Sequence, residues 1–196
     1  MLIKNHEGND MTLVIRNISR ANMAVIACAF LAACAPSSER RSFGTVIDDQ
    51  SSEVKALDVI FSRDEFSNKD HIKVEMHNGT LLLIGETQSE SNKALATELT
   101  IAMKNVDNVI NELAVMPPAT AGELLDNTWM TSKVNAVLTT ENPVEGFDAT
   151  RIKVLSARDH IYLMGTISRA DGEAVAEVVR NIGGVEKVIK VFDYID

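Results

Sequence analysis

An internal repeat constrains the fold of this chain more than any other feature of the sequence. Residues 71–115 and 151–195 align at an offset of 80 residues, which places Gly85 opposite Gly165. In each copy the spacing of apolar residues is typical of two strands, a helix and a third strand. A repeated unit of this size indicates one small module that is used twice.

A further amphipathic helix is predicted before each copy of the repeat. Its N-terminal cap is expected at Ser51 or Ser52 in the first copy and at Asn127 or Thr128 in the second. The sequence therefore predicts an α+β protein with two tandem αββαβ modules. Each module has a three-stranded mixed sheet, with a parallel crossover from the second to the third strand and two helices on one face. The other face of each sheet is expected to be solvated or to meet a partner.

Composition and the repeat together divide the chain into five segments. Residues between the apolar N-terminal run and the first module contain Pro, Ser and charge without periodicity, which favours a tether. Two prolines between the modules predict a short, semi-rigid linker. The predicted segments are a signal peptide (1–33), the tether (34–47), the first module (48–116), the linker (117–123) and the second module (124–196).

The N-terminal region predicts export and attachment of a lipid. Arg16 and Arg20 precede an apolar run at residues 21–33, which is shorter than the about 20 residues of a membrane-spanning helix and is typical of a secretory signal peptide. The end of this run matches the lipobox of bacterial lipoproteins, in which the cysteine acquires diacylglycerol: Leu31, Ala32, Ala33 and Cys34. The alternatives are an ordinary signal peptide or a buried cysteine in a short apolar helix.

The lipobox also bears on location and on cysteine chemistry. Ala35 stands where lipoproteins retained in the inner membrane carry Asp, so we expect the protein in the outer membrane, facing the periplasm. Cleavage removes Cys28, and acylation of Cys34 leaves no thiol for a disulfide or a metal site. The sequence leaves open whether translation begins at Met1 or at Met11.

Charge and motif content argue against several classes of function. The formal net charge is −9, whereas binding of nucleic acid needs a surface rich in Lys and Arg. No helix carries two histidines at metal-binding spacing. Serines lie outside the sequence contexts of activated nucleophiles, and no Gly-rich phosphate loop precedes a helix. We therefore predict no catalytic residues, no cofactor and no metal, and a protein that is not an enzyme.

Trp129 is the single tryptophan of the chain and the most informative side chain in it. Trp129, Lys133 and Ala136 are spaced at i, i+4 and i+7 and therefore share one face of the predicted helix. This face lies roughly 100° around the helix from the inward-facing Met130. An exposed tryptophan beside a lysine suits the interface between water and phospholipid headgroups, and a nearby helix N-terminus would add N–H groups for an anionic headgroup. Alternatively, Trp129 closes the edge of a small core.

Several segments of the second module resemble the BON domain. They are T-W-M-T-S-K-V-N-A-V-L at residues 128–138, G-T-I-S-R-A-D at 165–171 and G-G-V-E-K-V-I-K at 183–190. Two such modules behind a lipobox resemble the dual-BON-domain lipoproteins of the outer membrane, and the resemblance covers residues 51–196. The first module departs from the pattern, since it lacks the glycine before Val106. The resemblance implies periplasmic modules that bind phospholipid and support envelope integrity, without known catalysis.

The resemblance also implies that the helix bearing Trp129 contacts phospholipid. The first module is predicted to carry Ser52 and Glu53 in place of Trp129 and Met130, which favours the second module for this role. The expected contacts are Thr128, Trp129, Met130, Ser132, Lys133 and Ala136.

We therefore predict a lipid-anchored periplasmic protein of the outer membrane that binds anionic phospholipid through its second module. The alternative is an adaptor that uses an uncovered sheet face or a hairpin edge to hold a protein partner in outer-membrane assembly or the cell wall.

Overall fold

The computed structural model describes residues 43–196, with side chains from Asp48 onward. Residues Ser42–Asp196 form one compact unit. The predicted signal peptide, the lipobox and Cys34 lie outside the described residues.

Each module has the predicted order of helix, strand, strand, helix and strand. The first contains α1 (Phe43–Phe61), β1 (His71–His77), β2 (Thr80–Thr87), α2 (Glu90–Ile101) and β3 (Asn108–Val115). The second contains α3 (Ala121–Glu141), a 3₁₀ turn (Ala149–Arg151), β4 (Ile152–Ala157), β5 (His160–Ile167), α4 (Arg169–Arg180) and β6 (Lys187–Tyr194).

Both sheets have the mixed topology that the repeat predicts. Their strand orders are β1-β2-β3 and β4-β5-β6. The hairpin pairs β1–β2 and β4–β5 are antiparallel, and the crossover pairs β2–β3 and β5–β6 are parallel. The fold-class prediction is confirmed.

The glycine shared by the two copies has a steric cause. Gly85 pairs with Ile72 and Gly165 with Ile152, so each lies beside the first residues of the neighbouring edge strand. A Cβ atom would meet the carbonyl oxygen of His71 at 2.0 Å in the first module and that of Arg151 at 2.4 Å in the second. A side chain at either position would push the edge strand away from the central strand.

Two apolar clusters fill the space between each sheet and its two helices. In the first module Ala56 and Ile60 of α1 and Ala96 of α2 pack on Leu81 and Leu83 of the central strand. The second cluster contains the equivalent residues Val134, Leu138, Ala176, Ile161 and Leu163, together with Met130, Val175 and Val179. Both helices of each module therefore cover the same face of its sheet.

The opposite faces of the two sheets pack against each other. A third apolar cluster joins Leu82 and Ile84 of β2 to Tyr162 and Met164 of β5, with Val191 of β6 beside them. The face that was expected to be solvated or to meet a partner is thus covered by the other module.

Two helices begin earlier than the sequence analysis predicted. Helix α1 begins at Phe43, so the end of the predicted tether is helical. Helix α3 begins at Ala121 rather than near Thr128, and its N-cap is Thr120, whose hydroxyl accepts a hydrogen bond from the Glu123 N–H. The Glu123 carboxylate in turn accepts from the Thr120 N–H. This capping box ends the linker at Thr120 and adds nearly two turns to the helix.

Candidate functional site

Helix α3 presents four of its six predicted contact residues on an exposed, outward face. Trp129 is 60% exposed, so it does not close the edge of the core. Leu125, four residues earlier, is 71% exposed. Residues four apart lie on one face of a helix, so Leu125 and Trp129 form an exposed apolar pair.

Lys133 lies against the Trp129 ring, as the spacing of four residues predicts. Its Nζ is 4.8 Å from the centroid of the indole ring, a distance at which a cation–π interaction is effective. The same ammonium donates a hydrogen bond of 2.7 Å to the carbonyl oxygen of Gly183. The lysine therefore supports the ring and ties α3 to the loop between α4 and β6.

The structure sorts the six predicted contact residues into two groups. Thr128, Ser132 and Ala136 are exposed together with Trp129, and Lys133 is half-buried. Met130 is only 6% exposed and belongs to the core cluster of the second module. A contact between lipid and Met130 is therefore incompatible with the folded helix.

The expected contribution of a helix N-terminus near Trp129 is wrong. Because α3 begins at Ala121, Trp129 lies more than two turns inside the helix, where backbone N–H groups bond within the helix. The hydroxyls of Thr128 and Ser132 also donate to helix carbonyls, at 2.8 Å to Leu124 and 3.0 Å to Thr128. Attraction of an anion to this face must therefore come from the Lys133 ammonium and the side chains near it, and not from the helix N-terminus.

Burial corrects the alignment of the first helices. Ser52, Ala56 and Ile60 are the buried residues of α1 that match Met130, Val134 and Leu138 of α3, so Ser51, and not Ser52, stands opposite Trp129. The asymmetry between the modules remains, since the position that holds a tryptophan in the second module holds a small polar residue in the first.

The sequence family can be assigned on these observations together with a match to a known family model. The model of the BON domain matches residues 56–117 and 126–196. This chain belongs to the BON-domain family. Each matched range covers one αββαβ module from within its first helix to the end of its last strand. The two modules are hereafter the first and second BON modules.

Curated relatives extend over most of the chain. Outer membrane lipoprotein DolP of Haemophilus influenzae is 31% identical over 156 residues, which is 80% of this chain and 79% of that protein. A 21 kDa hemolysin of Actinobacillus pleuropneumoniae is 31% identical over 155 residues, or 79% of this chain and 78% of that protein. The first relationship confirms the predicted location at the outer membrane.

A solved structure also matches. It is the C-terminal domain of CdsD, a structural protein of the type III secretion system of Chlamydia trachomatis. The two share 14% identity with a TM-score of 0.29, over 80% of this chain and 100% of that one.

A buried ion pair joins the two BON modules. The Glu86 carboxylate of β2 is fully buried and accepts from Nε of Arg158 at 2.8 Å and from the Ala119 N–H at 3.1 Å. His71 Nδ1 lies 3.2 Å from the same carboxylate. Arg158 also donates to the carbonyl of Pro117 at 3.1 Å. The β4–β5 turn of the second module thus holds both the first module and the linker, a role that the sequence analysis missed.

The β1–β2 hairpin of the first module makes the equivalent contact with the second module, but through hydrogen bonds without an ion pair. Asn78, at the β1–β2 turn, donates to Thr166 at 3.2 Å and to Asp193 at 2.9 Å. Asn78 and Arg158 are equivalent in the repeat, as are Glu86 and Thr166. The two modules are therefore related by an approximate twofold arrangement in which only one side is ionic.

A second ionic contact crosses the junction between the sheets. The buried carboxylate of Glu75 bonds to the Lys153 ammonium of the second BON module. Burial raises the pKa of Glu75 to about 7, with Glu53 adding to the rise and Lys153 opposing it. Glu53 itself accepts a hydrogen bond from the Met76 N–H at 3.0 Å.

A cavity of about 220 Å³ lies beside the face of α3, at the edge of this junction. Its apolar wall includes Ile84 and Leu155, one from each BON module. The polar residues that line it are Lys73, Asn127, Thr128, Thr131, Ser132 and Ser156.

The described residues contain neither a metal site nor a membrane-spanning helix. Among residues 43–196, no group of three or more His, Cys, Asp and Glu side chains is placed to hold a metal ion. Within the part of the chain that the structure describes, no helix has the length and apolarity needed to cross a bilayer.

Proposed function

We propose that this protein is anchored to the outer membrane through Cys34, faces the periplasm and binds anionic phospholipid non-catalytically through α3 of its second BON module. The main observation behind this proposal is that the Trp129 ring is exposed and that the Lys133 ammonium lies against it. Mass spectrometry of the mature N-terminus tests the anchor, since an unmodified Cys34 would contradict it.

The chemistry of the exposed face suits the headgroup region of a bilayer. Tryptophan prefers the membrane–water interface, where its ring is apolar and its N–H finds a partner. Leu125 enlarges the apolar area on the same face, and full burial of a leucine side chain contributes about 1.5–3 kcal/mol. Each lysine near an anionic surface adds about 1 kcal/mol. Together these contributions give only weak binding, which suits a protein whose anchor already holds it at the bilayer.

A matched pair of substitutions tests this contact. The protein used is the chain from Ala35 onward, made without an acyl group, which contains the whole compact unit Ser42–Asp196. We expect Trp129→Glu to abolish co-sedimentation with vesicles that contain phosphatidylglycerol, because it removes the ring and adds a negative charge. Val54→Glu is the control, since Val54 is 68% exposed on α1 of the first BON module and receives the same charge.

The outcome that contradicts the proposal is equally specific. If Trp129→Glu co-sediments as the unsubstituted chain does, or if Val54→Glu loses binding to the same extent, α3 is not the contact. Circular dichroism of both variants checks that the fold is retained. In cells that lack the protein, the Trp129→Glu chain should also fail to restore resistance to detergents, because the proposed role is support of envelope integrity.

The adaptor hypothesis loses the uncovered sheet face, which is one of the two surfaces that it could use. The open faces of the two sheets pack against each other, and both hairpin turns contact the other BON module. No described contact favours a protein partner over a lipid at α3.

A further inference from the structure

The first two turns of α3 are not held by a hydrophobic core. Within the described part of the chain, the three core clusters contain no residue of α3 before Met130. Of residues 121–128, only Asn127 is buried and only Leu124 is half-buried. Short helical segments are marginally stable without tertiary packing. Other contacts must therefore hold these turns and the exposed Leu125 that they carry.

Polar contacts to Arg158, in the β4–β5 turn, take the place of a core. The Arg158 N–H donates to Oδ1 of Asn127 at 2.9 Å, and its guanidinium lies 3.6 Å from the Glu123 carboxylate in the first turn of α3. The same guanidinium donates to the Pro117 carbonyl in the linker at 3.1 Å. This one residue thus contacts the linker and both of the exposed turns of α3.

The first BON module holds the other side of this guanidinium. Arg158 Nε donates at 2.8 Å to the buried carboxylate of Glu86 in β2. Hydrogen bonds between charged groups are stronger than neutral ones, and the planar guanidinium presents several donors in a fixed geometry. The position of the guanidinium, and with it the start of α3, therefore depends on the first module.

The backbone of the turn points to a role for the arginine side chain. Arg158 and Asp159 have positive φ angles of 51° and 59°. The equivalent turn of the first module uses Asn78 and Gly79, the pair that a tight hairpin turn favours. An arginine in the left-handed region is uncommon and costs backbone energy, and such strain is concentrated at functional sites.

We propose that Arg158 is a positioning residue through which the first BON module holds the first two turns of α3, and with them Leu125, in place for contact with the bilayer. This inference rests on the proposed function, because it assumes that the face of Leu125 and Trp129 meets the membrane. Arg158 acts through the helix and does not itself contact lipid. The first BON module, whose first helix lacks the tryptophan, thereby takes part in binding.

Arg158→Asn tests the support of the helix with no lipid present. Asparagine adopts positive φ angles readily, so this variant keeps the turn and removes the guanidinium. We expect the NMR order parameters of the backbone amides at residues 121–127 to fall from about 0.85 to below about 0.6, whereas those of residues 130–138 stay near 0.85. A uniform loss of stability would not produce this local change. The control is Lys153→Gln, which removes the cation that pairs with Glu75 at the same junction and should leave both segments ordered.

A double-mutant cycle tests whether Arg158 acts through Leu125. Leu125→Ala truncates the apolar side chain and keeps a residue that favours helix, and we expect it to lower the apparent affinity for phosphatidylglycerol vesicles about tenfold. Arg158→Asn should also weaken binding, by no more than Leu125→Ala does. In the Leu125→Ala chain, Arg158→Asn should have little further effect, because the contact that Arg158 positions is already gone.

Arg158→Lys separates positioning from direct attraction to the lipid. Lysine keeps the positive charge but lacks the planar fork of donors. We expect it to recover vesicle binding only to the extent that it recovers the order parameters of residues 121–127. Full binding while these residues stay mobile would show that the charge acts on the lipid directly, and it would overturn the inference.

Three other results would also overturn it. They are unchanged order parameters in Arg158→Asn, a loss of order without a loss of binding, and equal losses of binding from Arg158→Asn with and without Leu125. In each case Leu125→Ala and Trp129→Glu still weaken binding, so the proposed function stands. If those two variants bind as the unsubstituted chain does, the proposed function fails and this inference fails with it.

Discussion

Replacement of Arg158 by alanine should break the main ionic contact between the BON modules. The guanidinium donates to the buried Glu86 carboxylate and to the Pro117 carbonyl. Removing one partner of a buried ion pair costs about 3–5 kcal/mol, because the other charge stays buried without compensation. The Ala119 N–H still bonds to Glu86 and Arg158 is partly exposed. We therefore expect a loss near the lower end, about 3 kcal/mol.

Urea unfolding followed by circular dichroism measures this loss. The control is Arg180→Ala, since Arg180 pairs with Glu177 on the surface of α4 and such exposed pairs contribute less than about 1 kcal/mol. Combining Arg158→Ala with Glu86→Gln should recover part of the stability, because the carboxylate left behind is then neutral. The reasoning is refuted if Arg158→Ala and Arg180→Ala destabilise equally, or if the second substitution recovers nothing.

Two further predictions concern the junction and the shared glycine. Burial raises the folded-state pKa of Glu75 to about 7 from an ordinary value of 4.5, so its ionisation opposes folding and its contribution to stability falls as pH rises from about 4.5 to about 7. The difference in unfolding free energy between Glu75→Gln and the unsubstituted chain should therefore grow in favour of the variant across this range, and a flat difference would contradict the shift. Gly165→Ala places a Cβ at 2.4 Å from the Arg151 carbonyl oxygen and should cost about 1–3 kcal/mol. Gly183→Ala, which meets nothing within 4 Å, should cost much less in the same urea experiment, and equal losses would refute the steric explanation.

The order of elements could be predicted because each local signal agrees with the fold. Asn78-Gly79 supplies the two positive φ values, 46° and 79°, that close the first hairpin. The shared Gly85 and Gly165 reflect close approach of an edge strand. Apolar alternation on either side of these residues then sets the strands, and the helix period sets the helices.

The start of α3 was missed because its signal lies in the predicted linker. Thr120 and Glu123 form a capping box, but two nearby prolines and a glycine favoured a loop. This error hid Leu125, which precedes the expected helix and yet lies on the face of Trp129. Helical spacing predicted that Lys133 lies on the same face as Trp129, but it left open whether the tryptophan is exposed or closes the edge of the core, and the structure decides for exposure.

The packing of the two sheets could not be derived from spacing, although the sequence contains a signal for it. Strands buried on both faces are apolar without alternation. The central strands contain Leu81 to Ile84 and Ile161 to Met164, continuous apolar runs that lie in clusters on both faces of their sheets. Such runs indicate a cover on each face, but they do not identify the cover as the other module. The ionic contact of Arg158 with Glu86 depends on that packing, so it could not be predicted either.

The central claim is that α3 of the second BON module enters the headgroup region of an anionic bilayer. Trp129 is the only tryptophan in the chain, so its fluorescence reports this contact without a label. Upon addition of phosphatidylglycerol vesicles to the chain from Ala35 onward, we predict a blue shift of the emission and quenching by brominated acyl chains. An emission maximum that stays at its value in water, with no quenching while the protein co-sediments with the vesicles, would contradict the account.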